Sequence, residues 1–180
     1  CYSFSSIGRL CDKRQGPVLA TIRRMGTLYL VRHGQASFGA DDYDVLSARG
    51  REQAVRLGEY WRARGMAFDA VITGTLRRHA QTWAGIARGA GLDLPPTEWP
   101  GLNEYDSGAV IRAILPRGQD QALGDPHSPE GYKAHFRLLR DGLRQWMAGT
   151  ISPEGMPAYT DFVHGVTSAL EHVRAHHAGQ

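Results

Sequence analysis

Apolar residues along the chain change their spacing several times, and each change marks an element. Thr27-Leu28-Tyr29-Leu30-Val31 is a short run of apolar and β-preferring residues that predicts a buried strand. Phe68-Asp69-Ala70-Val71-Ile72-Thr73 predicts a second. Between them Ser47 stands as an N-cap to a helix in which Ala54, Leu57, Gly58 and Trp61 recur on one face. Another helix follows the Thr73-Gly74-Thr75 turn and runs to about Gly89. Residues 91 to 100 contain Pro95 and Pro96, which suit an extended crossing or an edge segment and not a central strand. The apolar run Val110-Ile111-Arg112-Ala113-Ile114-Leu115 closes at Pro116, and residues 118 to 129 form a loop. Residues 132 to 147 predict an amphipathic helix, with Tyr132, Phe136, Leu139, Leu143 and Trp146 or Met147 at three- to four-residue spacing. After a breaker-rich loop, Thr160 or Asp161 caps a last helix with Phe162, Val163, Val166, Ala169, Leu170 and Val173 on its apolar side.

Charge sharpens this picture by its location. The chain of 180 residues carries a formal +3, but residues 1 to 24 hold a net +4 and the remainder a net −1. The body is therefore not basic, and a nucleic-acid partner is not expected. A basic arm that binds nucleic acid is the reading left for residues 1 to 24, against our preferred one, sequence lying outside the domain. Those residues show no sustained periodicity and no continuous apolar centre of a secretory signal, and Met25-Gly26 stands directly before the first predicted strand. We thus read residues 25–180 as one domain, of a size that builds a sizeable core. No apolar run approaches the roughly 20 residues that cross a bilayer, so no membrane partner is expected. Cys1 and Cys11 are the only cysteines and both lie in the N-terminal stretch, which fits a reducing compartment, the cytoplasm.

The first predicted strand ends abruptly at Arg32-His33-Gly34. A guanidinium can fork two hydrogen bonds onto a phosphate or carboxylate, an imidazole can act as nucleophile or proton carrier near neutral pH, and glycine allows close backbone approach. Ligands of open α/β sheets bind beyond the carboxyl ends of strands, where this turn falls. The residues alone leave two readings, an anion site or a strand end dipping into water. A polar loop from Phe38 to Asp44 follows; its Asp41 and Asp42 lack the spacing of a hard-cation loop and the loop is read as solvated, so no metal and no cofactor are expected.

Val31-Arg32-His33-Gly34 after a strand resembles the opening motif of the histidine phosphatase (phosphoglycerate mutase-like) superfamily, and three further stretches resemble it in order. Leu46-Ser47-Ala48-Arg49-Gly50-Arg51-Glu52-Gln53-Ala54 is similar to the signature that seats a helix behind the phosphate turn. Leu76-Arg77-Arg78-His79-Ala80-Gln81-Thr82 is similar to an element whose arginine binds the phosphoryl group, here Arg78, with Arg77 facing solvent. The match departs at Thr75, where proline is usual, and at His79, where alanine is usual; we read His79 as a partly buried helix residue, with a second catalytic histidine as the alternative. Leu102-Asn103-Glu104 is similar to the acid element, with Glu104 as proton donor and Asp106 as runner-up. Insertions such as residues 109 to 135 commonly form the lid that sets substrate choice. Arg112 and Arg117 there are read as surface, with contact to a second acidic group of the substrate as the alternative. His164, His172, His176 and His177 are read as surface and a solvated helix end.

The resemblance implies an α/β fold, a three-layer sandwich with a mainly parallel sheet. It implies metal-independent phosphoryl transfer with a phosphohistidine at His33, the phosphate held by Arg32, Gly34 and Arg78, and Glu104 as acid. The substrate would be a small phosphorylated molecule or a phosphoprotein. The rivals are a phosphoglycerate mutase-type phosphotransferase and a non-catalytic phospho-ligand binder. The superfamily's second histidine follows a strand after the last helix, and the sequence stops at Gln180, where that strand would begin; the chain is expected to be a piece lacking that part.

Overall fold

The computed structural model describes residues 26–37, 44–115 and 128–177. Helix α1, Ala48–Ala63, starts where expected: the Ser47 side chain accepts a hydrogen bond from Gly50 N at 3.1 Å. Strand β1 is only Ile72–Thr73, and it leads through residues 74 to 76 into helix α2, Arg77–Ala90. The proline-containing connection carries strand β2, Thr97–Glu98, which pairs parallel to β1 with Ile72 opposite Thr97. A 3-10 turn at Pro100–Leu102 precedes α3, Ser107–Ile114; α4, Pro129–Met147, and α5, Tyr159–His177, complete the order. The chain is α/β, and its sheet among the described residues has these two strands. No helix among them is long and apolar enough to cross a membrane.

One expected element is different. Residues 28 to 31 pair with no strand among the described residues, and Leu28, Tyr29, Leu30 and Val31 are all exposed, Leu30 by 82 %. Strand residues become a strand only when a neighbour takes their backbone N–H and C=O groups, and the described sheet does not reach this segment. Tyr29 alone finds aromatic company, its ring centroid 5.6 Å from Phe68 and 6.4 Å from Trp61.

The core explains why α1 and α2 lie so close. Ala54, Trp61, Trp83 and Ile86 are buried together, with Leu57, Met66, Phe68, Val71, Leu92 and Leu94 packed around them. Glycines make the approach possible: a Cβ on Gly58 would overlap Ile86 O, and one on Gly89 would overlap Val55 O. Trp83 Nε1 donates to Leu94 O at 3.1 Å and ties the extended connection onto α2. On the other side, Gly142 of α4 lets Val110 of α3 seat against it, and Gly101 meets Gly165 of α5 backbone to backbone. The expected face of α4 is buried only toward its end: Trp146 is covered, its Nε1 donating to Pro157 O at 3.1 Å, whereas Tyr132 and Phe136 stand exposed.

The same device sets the turn after Arg32. Gly34 and Gly50 face each other so tightly that a Cβ on Gly34 would overlap Gly50 O, and one on Gly50 would overlap Gln35 O. In a free helix alanine in place of glycine gains about 1 kcal/mol. Here the added methyl meets fixed backbone, so Gly50→Ala is expected to destabilise the protein by about 2–3 kcal/mol. Urea unfolding measures it; an unchanged midpoint would mean the turn is not seated on this glycine.

Candidate active site

Four segments from distant parts of the sequence meet beyond the carboxyl ends of β1 and β2. The Arg32-His33-Gly34 turn and the segment after it are held from below by side chains of α1 and α2. Gly34 N donates to Thr82 Oγ1 at 3.1 Å, and Thr82 Oγ1 donates to Arg78 O at 2.7 Å. Gln35 N donates to Gln53 Oε1 at 3.0 Å, Leu46 N to Gln81 Oε1 at 2.8 Å, and Ala36 bridges antiparallel to Leu46. The glutamine and threonine of the two helices thus serve the turn from its rear side.

His33 is half-buried, and both ring nitrogens are engaged. Its Nδ1 lies 2.6 Å from Gly34 O; a carbonyl only accepts, so Nδ1 carries a hydrogen. Its Nε2 lies 3.1 Å from Glu104 Oε2. One proton is shared across that contact, on the imidazole or on the carboxyl. Arg78 comes to the same oxygen, with Nη2 3.2 Å from Glu104 Oε2, while its Nη1 donates to Asp44 Oδ1 at 2.8 Å. The Arg78 side chain is only 6 % exposed. Asp44 also accepts from the backbone N–H of Arg77 at 2.9 Å, which caps α2 from outside its own sequence.

These contacts set the charge states. Burial pushes the Glu104 carboxyl upward, but the hydrogen bond and charge of His33, then those of Arg78, outweigh it and hold it below the usual range. Burial likewise pushes Asp44 up, and the backbone N–H groups of Arg77 and Arg78 with the Arg78 guanidinium bring it down. His79 sits against this group with its ring centroid 5.8 Å from that of His33.

Above His33 opens a cleft of about 580 Å3 lined by Arg32, His33, Gly34, Gln35, Ala36, Arg49, Gln53 and Tyr132. Arg32 is exposed along it. Arg49 and Tyr132 were not among the residues that the sequence singled out for the site, and Asp44 was read there as the end of a solvated loop. Asp106, the runner-up acid, is occupied elsewhere: its carboxylate caps α3 by accepting from Ala109 N at 3.0 Å and lies 3.7 Å from Arg112. Arg112 and His164 are exposed, as read. Arg117, Asp41 and Asp42 lie outside the described residues.

A family model described as histidine phosphatase superfamily (branch 1) matches residues 28–180. The chain belongs to that superfamily. Among curated relatives, a broad-specificity phosphatase of Saccharomyces cerevisiae is 34% identical over 135 residues, covering 71% of this chain and 57% of its own length. A probable phosphoglycerate mutase of Salmonella paratyphi A is 30% identical over 151 residues, and that of Salmonella newport 34% over 152, each match covering 80% of this chain and 63% of the relative. The chain spans about three fifths of the length of these relatives.

Proposed function

We propose that the protein is a metal-independent phosphatase for small phosphorylated substrates or phosphoproteins, working through a phosphohistidine at His33. The observation that carries this reading is the single oxygen, Glu104 Oε2, that receives both His33 Nε2 and Arg78 Nη2. A nucleophile, a cation and an acid converge there, and a phosphoryl oxygen offers the same acceptor that the carboxylate now supplies. When a phosphomonoester enters, its oxygens replace Glu104 at the guanidinium, with Arg32 and Gly34 at the mouth of the cleft. The shared proton leaves with Glu104 and Nε2 is freed as a lone pair.

His33 Nε2 then attacks phosphorus in line while the bond to the leaving oxygen breaks, and Glu104 gives that oxygen its proton. In the second half Glu104 takes a proton from water. The resulting hydroxide attacks phosphorus, the N–P bond breaks, and inorganic phosphate and free His33 are restored. Arginines carry the charge on the equatorial oxygens in both halves. The surrounding architecture in this reading is a three-layer α/β sandwich with a mainly parallel sheet, formed by a domain that starts at residue 25, in a cytoplasmic protein.

The test is to mix the protein with a phosphomonoester labelled on phosphorus, quench with alkali, and locate the label. Phosphohistidine survives alkali and is lost in acid, and the expected adduct is on His33. Transfer of the label to an added hydroxyl acceptor in preference to water would favour the mutase-type reaction instead. Tight phosphate binding with no adduct would leave a phospho-ligand binder and overturn the enzymatic reading.

A further inference from the structure

Helix α2 carries a second imidazole beside His33, and the mechanism above leaves it idle. His79 follows Arg78 directly, is half-buried, and lies with its ring plane inclined by 33° to that of His33. Its place is fixed from behind. A Cβ on Gly74 would overlap His79 Nδ1, so the ring rests on bare backbone. That backbone does not give way: Thr75 N donates to Asn103 Oδ1 at 2.7 Å, and Asn103 Nδ2 donates to Thr75 Oγ1 at 2.7 Å. The ring is thereby wedged between a bonded turn and the nucleophile.

We propose that His79 takes up a proton when a tetrahedral dianion binds at His33 and Arg78, and gives it back when the anion leaves. This rests on reading the cleft as a phosphoryl site and adds a positioning charge to it. The groups that face His79 are Arg78 on its own helix, His33 from the turn, Glu104 from the segment after the 3-10 turn, and Asp44 from the segment before α1. In the free protein burial, then Arg78, then His33 disfavour a positive His79, and they outweigh Glu104 and Asp44, which favour it. The ring is therefore neutral near neutral pH. Anion binding changes that balance in one direction. Passing a proton from His33 to Glu104 leaves that pair with the same total charge, whereas the dianion adds two negative charges beside a half-buried ring whose neighbour is already its binding partner. Opposite charge within about 6 Å shifts a partly desolvated imidazole upward by about one pH unit or more, a tenfold or greater gain in proton affinity.

The consequence is a proton-linked anion site. Affinity for a dianion rises as pH falls from about 8 to about 6, beyond any change due to the anion itself, because one more proton is bound in the complex. Inorganic sulfate is the probe, since it stays a dianion throughout that range. Histidine-labelled protein is titrated with acid, followed by NMR, with and without saturating sulfate; the resonance missing from His79→Gln, or from His79→Phe should the glutamine variant fold poorly, reports this ring. The expected result is a midpoint higher by about one pH unit or more in sulfate, and a sulfate affinity that depends about tenfold less on pH in the variant than in the natural protein. Sulfate that binds and perturbs His33 while the His79 midpoint stays put would overturn the inference and leave the phosphoryl-site reading standing. Failure of both sulfate and phosphate to bind or to perturb His33 would overturn that reading, and the inference with it.

Discussion

Replacing His33 by alanine is expected to lower the hydrolysis of an aryl phosphate on the order of 10^3-fold or more, while the far-UV circular dichroism stays that of the natural protein. Among the described residues the imidazole bonds to Gly34 O of its own turn and to Glu104, so its loss removes the nucleophile without removing the supports of the turn. Those supports, Thr82, Gln53 and Gln81, come from α1 and α2 and remain in place. Glu104→Gln separates the acid from the nucleophile. A nitrophenolate leaves without needing a proton, whereas an alkoxide cannot, so the glutamine variant is expected to lose about 10^2- to 10^4-fold on an alkyl phosphate and far less on nitrophenyl phosphate. Steady-state rates on the two substrates decide the matter. An alanine variant at position 33 with the full rate would sink the phosphohistidine mechanism, and equal losses on both substrates for Glu104→Gln would remove the acid role.

What could be read in the sequence was what is decided locally. Ser47 caps α1 because its hydroxyl needs only Gly50 three residues on, and the face of Ala54, Gly58 and Trp61 is buried because period 3.6 puts those residues on one stripe. Pro95 and Pro96 likewise announced an extended crossing or an edge segment, and the strand after them, β2, is only a two-residue pairing. Partners from far along the chain were not legible. The residues of 28 to 31 have strand preference, yet preference says nothing of the neighbour that would make a ladder. Asp44 looked like one more acid in a polar loop because its partners, the N-terminus of α2 and the Arg78 guanidinium, lie more than thirty residues away. Tyr132 lay on a correct helical stripe, but a stripe does not reveal whether a core or a cleft faces it; this end of α4 faces the cleft above His33. Glu104 and Asp106 are two residues apart and chemically alike, and only the fold sends one to His33 and the other to the cap of α3.

Removing the Arg78 side chain is expected to cost about 2–3 kcal/mol of stability, because it takes charged hydrogen bonds from two carboxylates at once. The guanidinium is covered, with Asp44 on one side and Glu104 on the other. In Arg78→Ala Asp44 loses the guanidinium and Glu104 is left with His33, and α2 loses part of the tie between its first turn and the segment before α1. Lysine is not a substitute, because a single ammonium cannot reach two acceptors in the forked geometry. Pairing the change with Asp44→Asn should return part of the loss, since the second substitution removes one of the stranded charges; the two effects are therefore less than additive. Urea unfolding at neutral pH measures all three proteins, and an Arg78→Ala midpoint equal to that of the natural protein would show that the pairings hold nothing. Acid provides an independent check with a fixed sign. Asp44 and Glu104 both have carboxyls held below their usual values of 3.8 and 4.5. The native state therefore binds fewer protons than the unfolded chain, and the stability these groups contribute is fully present above those values and lost as pH falls through the lower native ones. Asp44→Asn deletes one of the two contributions, so its stability should fall less steeply with acid below about pH 4 than that of the natural protein. A parallel or steeper fall would mean that Asp44 is not ionised against Arg78 in the folded protein, and the guanidinium would then have to be balanced by Glu104 alone.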